Sequence, residues 1–141
     1  MAEVTLREGA DSGELRAVLL IAYGLFLIAL LNGLSAIAGI VLVYVKRDEA
    51  RGTLWEGHFR NLVHVFWISC AIAVSALFVV LQAFGGLAIS LFATNGNPSP
   101  AVIGGLVALV PVFLLGAVLF LAWYFYRTLR GLVRALESKP Y

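Results

Sequence analysis

One charged stretch decides the fold: Lys46-Arg47-Asp48-Glu49-Ala50-Arg51, which continues as Gly52-Thr53-Leu54-Trp55-Glu56-Gly57-His58-Phe59-Arg60. It is the only dense charged segment in a sequence that is otherwise apolar from Ala17 to Tyr126, so it divides the chain into two hydrophobic blocks. Apolar blocks of this length are typical of membrane-spanning helices. We therefore expect residues 46–60, the charged elbow, to lie at a membrane surface between segments that lipid solvates.

Composition leads to the same class. The chain has 141 residues, of which 62% are hydrophobic and 13% are charged, and a water-soluble domain of this size would expose more apolar surface than it could bury. The net charge of +2 comes from basic residues at the edges of the apolar blocks, which suits lipid headgroups better than a nucleic acid. We predict a single integral membrane domain that has lipid as a partner and binds no nucleic acid.

The first block follows an acidic leader, residues 1–12, which differs from the basic start of a secretory signal. We expect this leader to be retained and cytoplasmic. A side-chain oxygen of Asp11 or Ser12 would cap a helix that starts near Gly13.

About 29 residues, Ala17 to Val45, carry no charge. As one helix they would be about 43 Å long, against about 30 Å for a hydrocarbon core, so one span is too long and two are too short. Asn32 and Gly33 favour a helix end and Ser35 could cap a new helix, which predicts a short hairpin of segments 13–31 and 35–45. The alternative is one tilted or kinked span.

Basic residues set the topology. Lys46, Arg47, Arg51 and Arg60 make the charged elbow cytoplasmic by the positive-inside rule, whereas the uncharged turn near residues 93–100 suits an external loop. Spans 61–92 and 101–126 would join these sides, and both termini would be cytoplasmic. The predicted fold class is an all-α integral membrane protein of the bacterial inner membrane. It is a small helical bundle of four membrane segments, or three spans in the alternative, followed by a C-terminal interfacial amphipathic helix.

Polar side chains form a candidate stripe on the span 61–92. At about 100° per residue, Asn61, His64, Ser75 and Gln82 fall within roughly 60° of one another. Polar groups that face hydrocarbon are costly unless paired, so we expect this polar stripe to face protein or a wet cavity.

The tail, residues 127–141, has an interfacial pattern. Arg127, Arg130 and Arg134 share one helical face at i, i+3 and i+7, and apolar residues share the opposite face. We call these three arginines the basic stripe and expect it to face lipid headgroups, either as a separate anchor or as a snorkelling flank of the last span.

The charged elbow offers a second candidate site, formed by Arg47, Asp48, Glu56, His58 and Arg60. Its simplest interpretation is a structural turn at which carboxylates pair with arginines while Trp55 and Phe59 lie at headgroup depth. Alternatively, His58 with Glu56 or Asp48 forms a pH-sensitive latch, because histidine titrates near neutral pH.

Catalytic chemistry is not expected. His58 and His64 are the only two histidines and lie about 120° apart on one helix, so they cannot share a metal, and the single cysteine, Cys70, lies in an apolar run. The sequence has no phosphate-binding glycine loop. We predict no catalytic residue, no metal site and no cofactor.

The charged elbow and its flanks also carry a resemblance. Val41-Leu42-Val43 leads into residues 44–53, then Glu56-Gly57-His58-Phe59-Arg60, and Phe66-Trp67-Ile68 closes the segment. This pattern resembles the signature of a family of small, uncharacterised bacterial inner-membrane proteins. That family is similar, more distantly, to the small four-helix channel-type subunit of the chloroplast inner-envelope import translocon. Family members usually have Ser, Gln and Arg where this chain has Gly57, Leu62 and His64.

Two functions are compatible with these features. The first is an accessory or scaffold subunit that binds other membrane proteins through small-residue faces and the polar stripe. The second is a small oligomeric channel or carrier whose path the polar stripe lines. Because His64 is the only residue between Asn61 and Tyr126 that titrates near neutral pH, we favour the first.

Overall fold

A computed structural model describes the backbone of residues 2–141 and the side chains from Gly13 onwards. Across these residues the chain forms four helices and no strand. The helices are α1 (Ala2–Asn32), α2 (Ser35–Lys46), α3 (Glu56–Ala93) and α4 (Pro100–Leu136). The all-α class is confirmed.

Three helical segments are long and apolar enough to cross a membrane: Gly13–Asn32, Glu56–Ala93 and Pro100–Leu136. Helix α2 has 12 residues and is therefore about 18 Å long, shorter than a hydrocarbon core of about 30 Å. The chain is thus a helical membrane protein with three candidate spans and one short apolar helix.

The chain divides into two compact units. The first contains the residues up to Trp67 together with Tyr124–Tyr141, and the second is Ile68–Trp123. The first unit holds the buried core. Its largest fully buried side chains are Tyr23, Phe26, Phe59, Leu19, Leu62, His58, Val43, Val65 and Thr128.

A tight turn joins α1 to α2. Gly33 has a φ of +69°, a left-handed conformation that glycine adopts without steric cost. The amides of the turn bond within the turn: Gly33 N donates to the Ala29 carbonyl at 2.7 Å, and Leu34 N to the Asn32 carbonyl at 2.8 Å. The sequence predicted that Ser35 caps α2, but the capping side chain is Asn32, which accepts from Ser35 N at 3.0 Å. The Ser35 hydroxyl instead donates to the Leu25 carbonyl on α1 at 2.9 Å.

One helix start differs from the sequence prediction. Helix α1 begins at Ala2 and not near Gly13, so the backbone of Asp11 and Ser12 lies inside a helix, and their predicted side-chain caps fall outside the described side chains. The leader is rich in good helix formers, whose summed propensity extends the helix past these weak stop signals. Helix α3 begins at Glu56, so the last five residues of the charged elbow form its first turn and a half.

The aromatic residues Trp55 and Phe59 of the charged elbow are buried within the first unit. Trp55, the residue before α3, is 5% exposed, and Phe59 in the first turn of α3 is 1% exposed. Phe59 N donates to the Trp55 carbonyl at 3.1 Å, so the two residues are one helical turn apart. Gly52, with a φ of +74°, makes the turn that brings them there.

In the second unit, the turn between α3 and α4 is closed by its own polar groups. Asn95 and Gly96 have positive φ values of 49° and 92°. The Thr94 hydroxyl contacts the Asn97 carbonyl, and Ser99 N donates to the Ser90 hydroxyl at 3.0 Å. This uncharged turn is where the sequence predicted a short loop.

Helices α1 and α4 approach closely where Gly131 faces Tyr23. A Cβ on Gly131 would lie 2.6 Å from two ring carbons of Tyr23, a distance that forces something to move. Elsewhere along the same contact, the Tyr124 hydroxyl donates to the Phe26 carbonyl at 2.8 Å. The absence of a side chain at residue 131 thus makes room for the buried tyrosine.

We expect Gly131→Ala to lower the free energy of unfolding by about 1–3 kcal/mol, because the added methyl group overpacks the contact with Tyr23. The matched control is Gly116→Ala, at an open position of the same helix with nothing within 4 Å. Its stability should be unchanged or slightly higher. Thermal unfolding in detergent micelles measures both, and equal midpoints for the two variants would contradict the packing argument.

Candidate functional site

A buried polar cluster connects three helices of the first unit. It consists of Tyr23 on α1, His58 and Asn61 on α3, and Arg127 on α4. His58 and Tyr23 are 0% exposed and Asn61 is 2% exposed. The Tyr23 hydroxyl lies 3.3 Å from His58 Nδ1 and 3.4 Å from Asn61 Nδ2, and Arg127 Nε donates to Asn61 Oδ1 at 2.7 Å.

The chemistry of the partners fixes the direction of each hydrogen bond. His58 Nε2 lies 2.8 Å from the Lys139 carbonyl, which only accepts, so Nε2 carries the proton and Nδ1 of the neutral ring is an acceptor. The Tyr23 hydroxyl therefore donates to His58 and accepts from Asn61. All bonds point the same way, from Arg127 through Asn61, Tyr23 and His58 to the Lys139 carbonyl.

This direction makes the neutral imidazole the form that fits. A proton on Nδ1 would point at the Tyr23 hydroxyl, which already accepts from Asn61 and would lose its own acceptor. A buried donor without a partner costs about 1–3 kcal/mol. The cluster thus favours an uncharged His58 that joins α1 to α3.

Aromatic rings enclose His58. The rings of Tyr23 and Tyr141 meet it edge to face, with centroids 6.1 and 5.6 Å away, and the Trp55 ring lies 6.0 Å away. Edge-to-face geometry at these distances is favourable for aromatic pairs. Packing and hydrogen bonding together fix the orientation of the imidazole.

The structure separates His58 from the acidic partners proposed for the latch. Glu56 Oε2 accepts from Gly52 N at 2.9 Å, and Asp48 pairs with Arg51 at 3.0 Å. Both carboxylates serve the turn of the elbow, so a latch of His58 with Glu56 or Asp48 is wrong in its partners. Arg47 and Arg60 are exposed and are not part of the buried polar cluster.

Lys46, at the end of α2, forms an ion pair that the sequence did not indicate. Its Nζ lies 2.8 Å from Glu14 Oε1 on α1, and 2.8 Å from Glu49 Oε2. These two carboxylates raise the pKa of Lys46 above its usual value. The pair links the first half of α1 to the end of α2.

The polar stripe does not form one buried face of the chain. Only Asn61 enters the cluster. His64 and Ser75 are exposed and bond to their own helix, His64 Nδ1 to the Arg60 carbonyl at 2.9 Å and the Ser75 hydroxyl to the Ala71 carbonyl at 2.8 Å. Such bonds to the preceding turn satisfy a polar side chain without a second helix. Gln82 is exposed, and no described residue hydrogen-bonds its side chain.

The basic stripe is also divided. Arg127 is half-buried, and its Nε donates to the buried Asn61 Oδ1, which needs a donor. Arg130 is exposed and stacks on Tyr126, 6.0 Å from the ring centroid. Arg134 donates to the Pro140 carbonyl at 3.4 Å.

The described residues contain no group of three or more histidine, cysteine, aspartate or glutamate side chains that could hold a metal ion. Each polar atom of the buried polar cluster named above has its partner inside the chain. The arrangement is suited to tying α1, α3 and the end of α4 together.

Sequence reasoning missed the central residue of this site. Tyr23 was not singled out, although a hydroxyl inside an uncharged run of a predicted span is a signal that it needs a partner. The Lys139 carbonyl gave no signal, because a backbone acceptor has no sequence signature.

Comparison with known protein families, with curated proteins and with solved structures finds no match to this chain. Any function must therefore be inferred from the geometry of the chain's own residues.

We expect Tyr23→Phe to destabilise the first unit by about 1–3 kcal/mol, because it leaves His58 Nδ1 and Asn61 Nδ2 buried without a partner. Tyr44→Phe is the matched control, since the Tyr44 hydroxyl accepts from Trp67 Nε1 at 2.9 Å on an exposed surface. Tyr44→Phe should lower the free energy of unfolding by less than Tyr23→Phe does. Unfolding in micelles measures the free energy of unfolding of both variants.

Imidazole nitrogen NMR provides a second readout. The wild-type chain should show His58 as the neutral tautomer with its proton on Nε2. Tyr23→Phe should keep that tautomer, because the Lys139 carbonyl remains, but should shift the Nδ1 resonance, because Nδ1 loses its hydrogen-bond donor. Equal stability of the two phenylalanine variants, or a proton on Nδ1 in the wild type, would refute the assigned direction of the bonds.

Proposed function

We propose that this chain is a non-enzymatic integral membrane protein that acts as an accessory or scaffold subunit and binds other membrane proteins. The observation that supports this function best is Gln82, an exposed carboxamide without a partner in the described part of the chain, about two-thirds of the way along the uncharged stretch 61–92. In hydrocarbon an amide needs hydrogen bonds that lipid tails do not supply.

A helix of another protein would satisfy this amide. Gly86 follows Gln82 by one helical turn, and a Cβ there would have nothing within 4 Å, so a second backbone could approach closely. In such a contact the Gln82 side chain would form the interhelical hydrogen bond, and Gly86 would allow the second helix to approach closely.

We further propose a bacterial inner-membrane location with both termini cytoplasmic. The Lys46–Glu14 pair supports this arrangement, because it requires the first half of α1 and the end of α2 to lie on the same side. Arg16 also donates to the Leu136 carbonyl at 2.8 Å, which supports the end of α4 on the same side as the first half of α1. His58, at the start of α3, bonds to the Lys139 carbonyl just after α4, which supports the start of α3 on that side as well. In this proposal α2 is the short returning leg of a membrane hairpin, giving four membrane segments as in the translocon-like family that the elbow resembles.

The rival function is a small oligomeric channel or carrier lined by the polar stripe. The bonds of His64 Nδ1 and the Ser75 hydroxyl to their own helix weigh against it, because they reduce the polar groups that the stripe could offer to a path. Detergent sizing separates the two functions. A uniform homo-oligomer that conducts ions in vesicles would favour the channel, whereas a defined second protein would favour the accessory role.

We expect Gln82→Leu to weaken association in native membranes about five-fold, which corresponds to the loss of about 1 kcal/mol for one interhelical hydrogen bond. Ser75→Ala is the matched control on the same stripe, because its hydroxyl is already satisfied by Ala71, and association should be unchanged. Quantitative cross-linking of a tagged chain in native membranes measures both. Association that is insensitive to Gln82→Leu would remove the main support for this function.

Labelling tests the topology independently. In a Cys70→Ala background, Asn97→Cys in the α3–α4 turn should react with a membrane-impermeant maleimide on intact spheroplasts, and Arg51→Cys in the elbow should react only after permeabilisation. Labelling of Arg51→Cys on intact spheroplasts would reverse the proposed orientation.

A further inference from the structure

The residues after α4 fold back onto the start of α3. Helix α4 ends at Leu136, and Lys139 N then donates to the Arg134 carbonyl at 2.9 Å. Ser138 makes this reversal with a φ of +53°, the left-handed conformation that a serine adopts at a steric cost. Residues 137–141, which we call the strap, therefore turn back towards α3 and do not continue along a membrane surface.

Two contacts hold the strap on α3. His58 Nε2 donates to the Lys139 carbonyl at 2.8 Å, and the Tyr141 ring meets the His58 ring edge to face. The strap lies directly against Gly57, because a Cβ at that position would be 3.4 Å from Cβ of Tyr141, an ordinary contact distance. The strap thus covers the first turn of α3 at Gly57 and His58.

The strap also caps the end of α4, because Glu137 N donates to the Val133 carbonyl at 3.1 Å and Ser138 N to the Ala135 carbonyl at 3.2 Å. Its remaining side-chain contacts are exposed. The Lys139–Glu137 ion pair, at 2.8 Å, lies within the strap itself, and Lys139 lowers the pKa of Glu137. Exposed ion pairs contribute little to stability, and the Arg134 bond to the Pro140 carbonyl is long at 3.4 Å. Beyond these cap bonds, the strap is held on α3 by the His58 hydrogen bond and the Tyr141 ring, and so few contacts are typical of a segment that opens locally.

We propose that residues 137–141 are a hinged strap that turns at Ser138, closes over the first turn of α3 and opens to uncover Gly57 and the Nε2 donor of His58. The closed strap supplies the last acceptor of the buried polar cluster, and the open strap leaves that donor available at the end of the chain of hydrogen bonds. This device does not depend on the proposed accessory function.

Disulfide trapping in the full chain tests the closed state. In a Cys70→Ala background reconstituted in nanodiscs, Gly57→Cys with Tyr141→Cys should cross-link rapidly, because the Cβ separation of 3.4 Å is close to the range of about 3.5–4.5 Å for disulfides. Gly52→Cys with Tyr141→Cys is the matched control, since nothing lies within 4 Å of Gly52, and it should cross-link at least ten-fold more slowly. Equal rates for the two pairs would overturn the closed strap.

Hydrogen exchange tests the opening. The Lys139 amide should exchange at least ten-fold faster than the buried-core amides of α4, and Tyr141→Ala should speed its exchange about five-fold or more. Tyr126→Ala, which truncates an exposed tyrosine of α4 away from the strap, should leave this rate unchanged. A Lys139 amide as slow as the helix core, or one unaffected by Tyr141→Ala, would show that the strap is not a hinged unit.

Discussion

The hydroxyl of Tyr23 is the group on which the first unit depends. It accepts from Asn61 and donates to His58, so one atom on α1 fixes two residues on α3. Gly131 on α4 leaves the space that the ring occupies. Because buried polar groups cost more when unpaired than they stabilise when paired, this contact specifies one arrangement of the three helices more than it adds to their stability.

The hydrophobic pattern predicted the helices but not the polar contacts between them. Asn32 and Gly33 end α1 where turn chemistry places them, and the charged elbow separates α2 from α3, because glycine and charge act locally. Tyr23 and the Lys139 carbonyl meet His58 from positions far apart in the chain, and no spacing rule connects them. Local signals therefore predicted the helices and turns. The candidate site depends on contacts between residues far apart in the chain, which cannot be predicted from local patterns in a single sequence.

The polar stripe shows why helical periodicity alone is insufficient. Asn61, His64 and Ser75 lie on neighbouring parts of one helix face, yet only Asn61 needs another helix, because the other two bond to carbonyls of the preceding turn. Gln82, a carboxamide further along the same face, has no such bond among the described residues. Side-chain chemistry, and not position on the wheel, decides which polar residues require a partner.

The turn at Gly33 has a consequence for how the chain enters a bilayer. Its amides bond to Ala29, to the Asn32 carbonyl and to the Asn32 side chain, so it brings no bare N–H of those residues that would need hydration. Irregular backbone is tolerated in hydrocarbon only when its groups are satisfied. An α1–α2 pair that enters lipid therefore carries no unpaired amide of these residues at its tip.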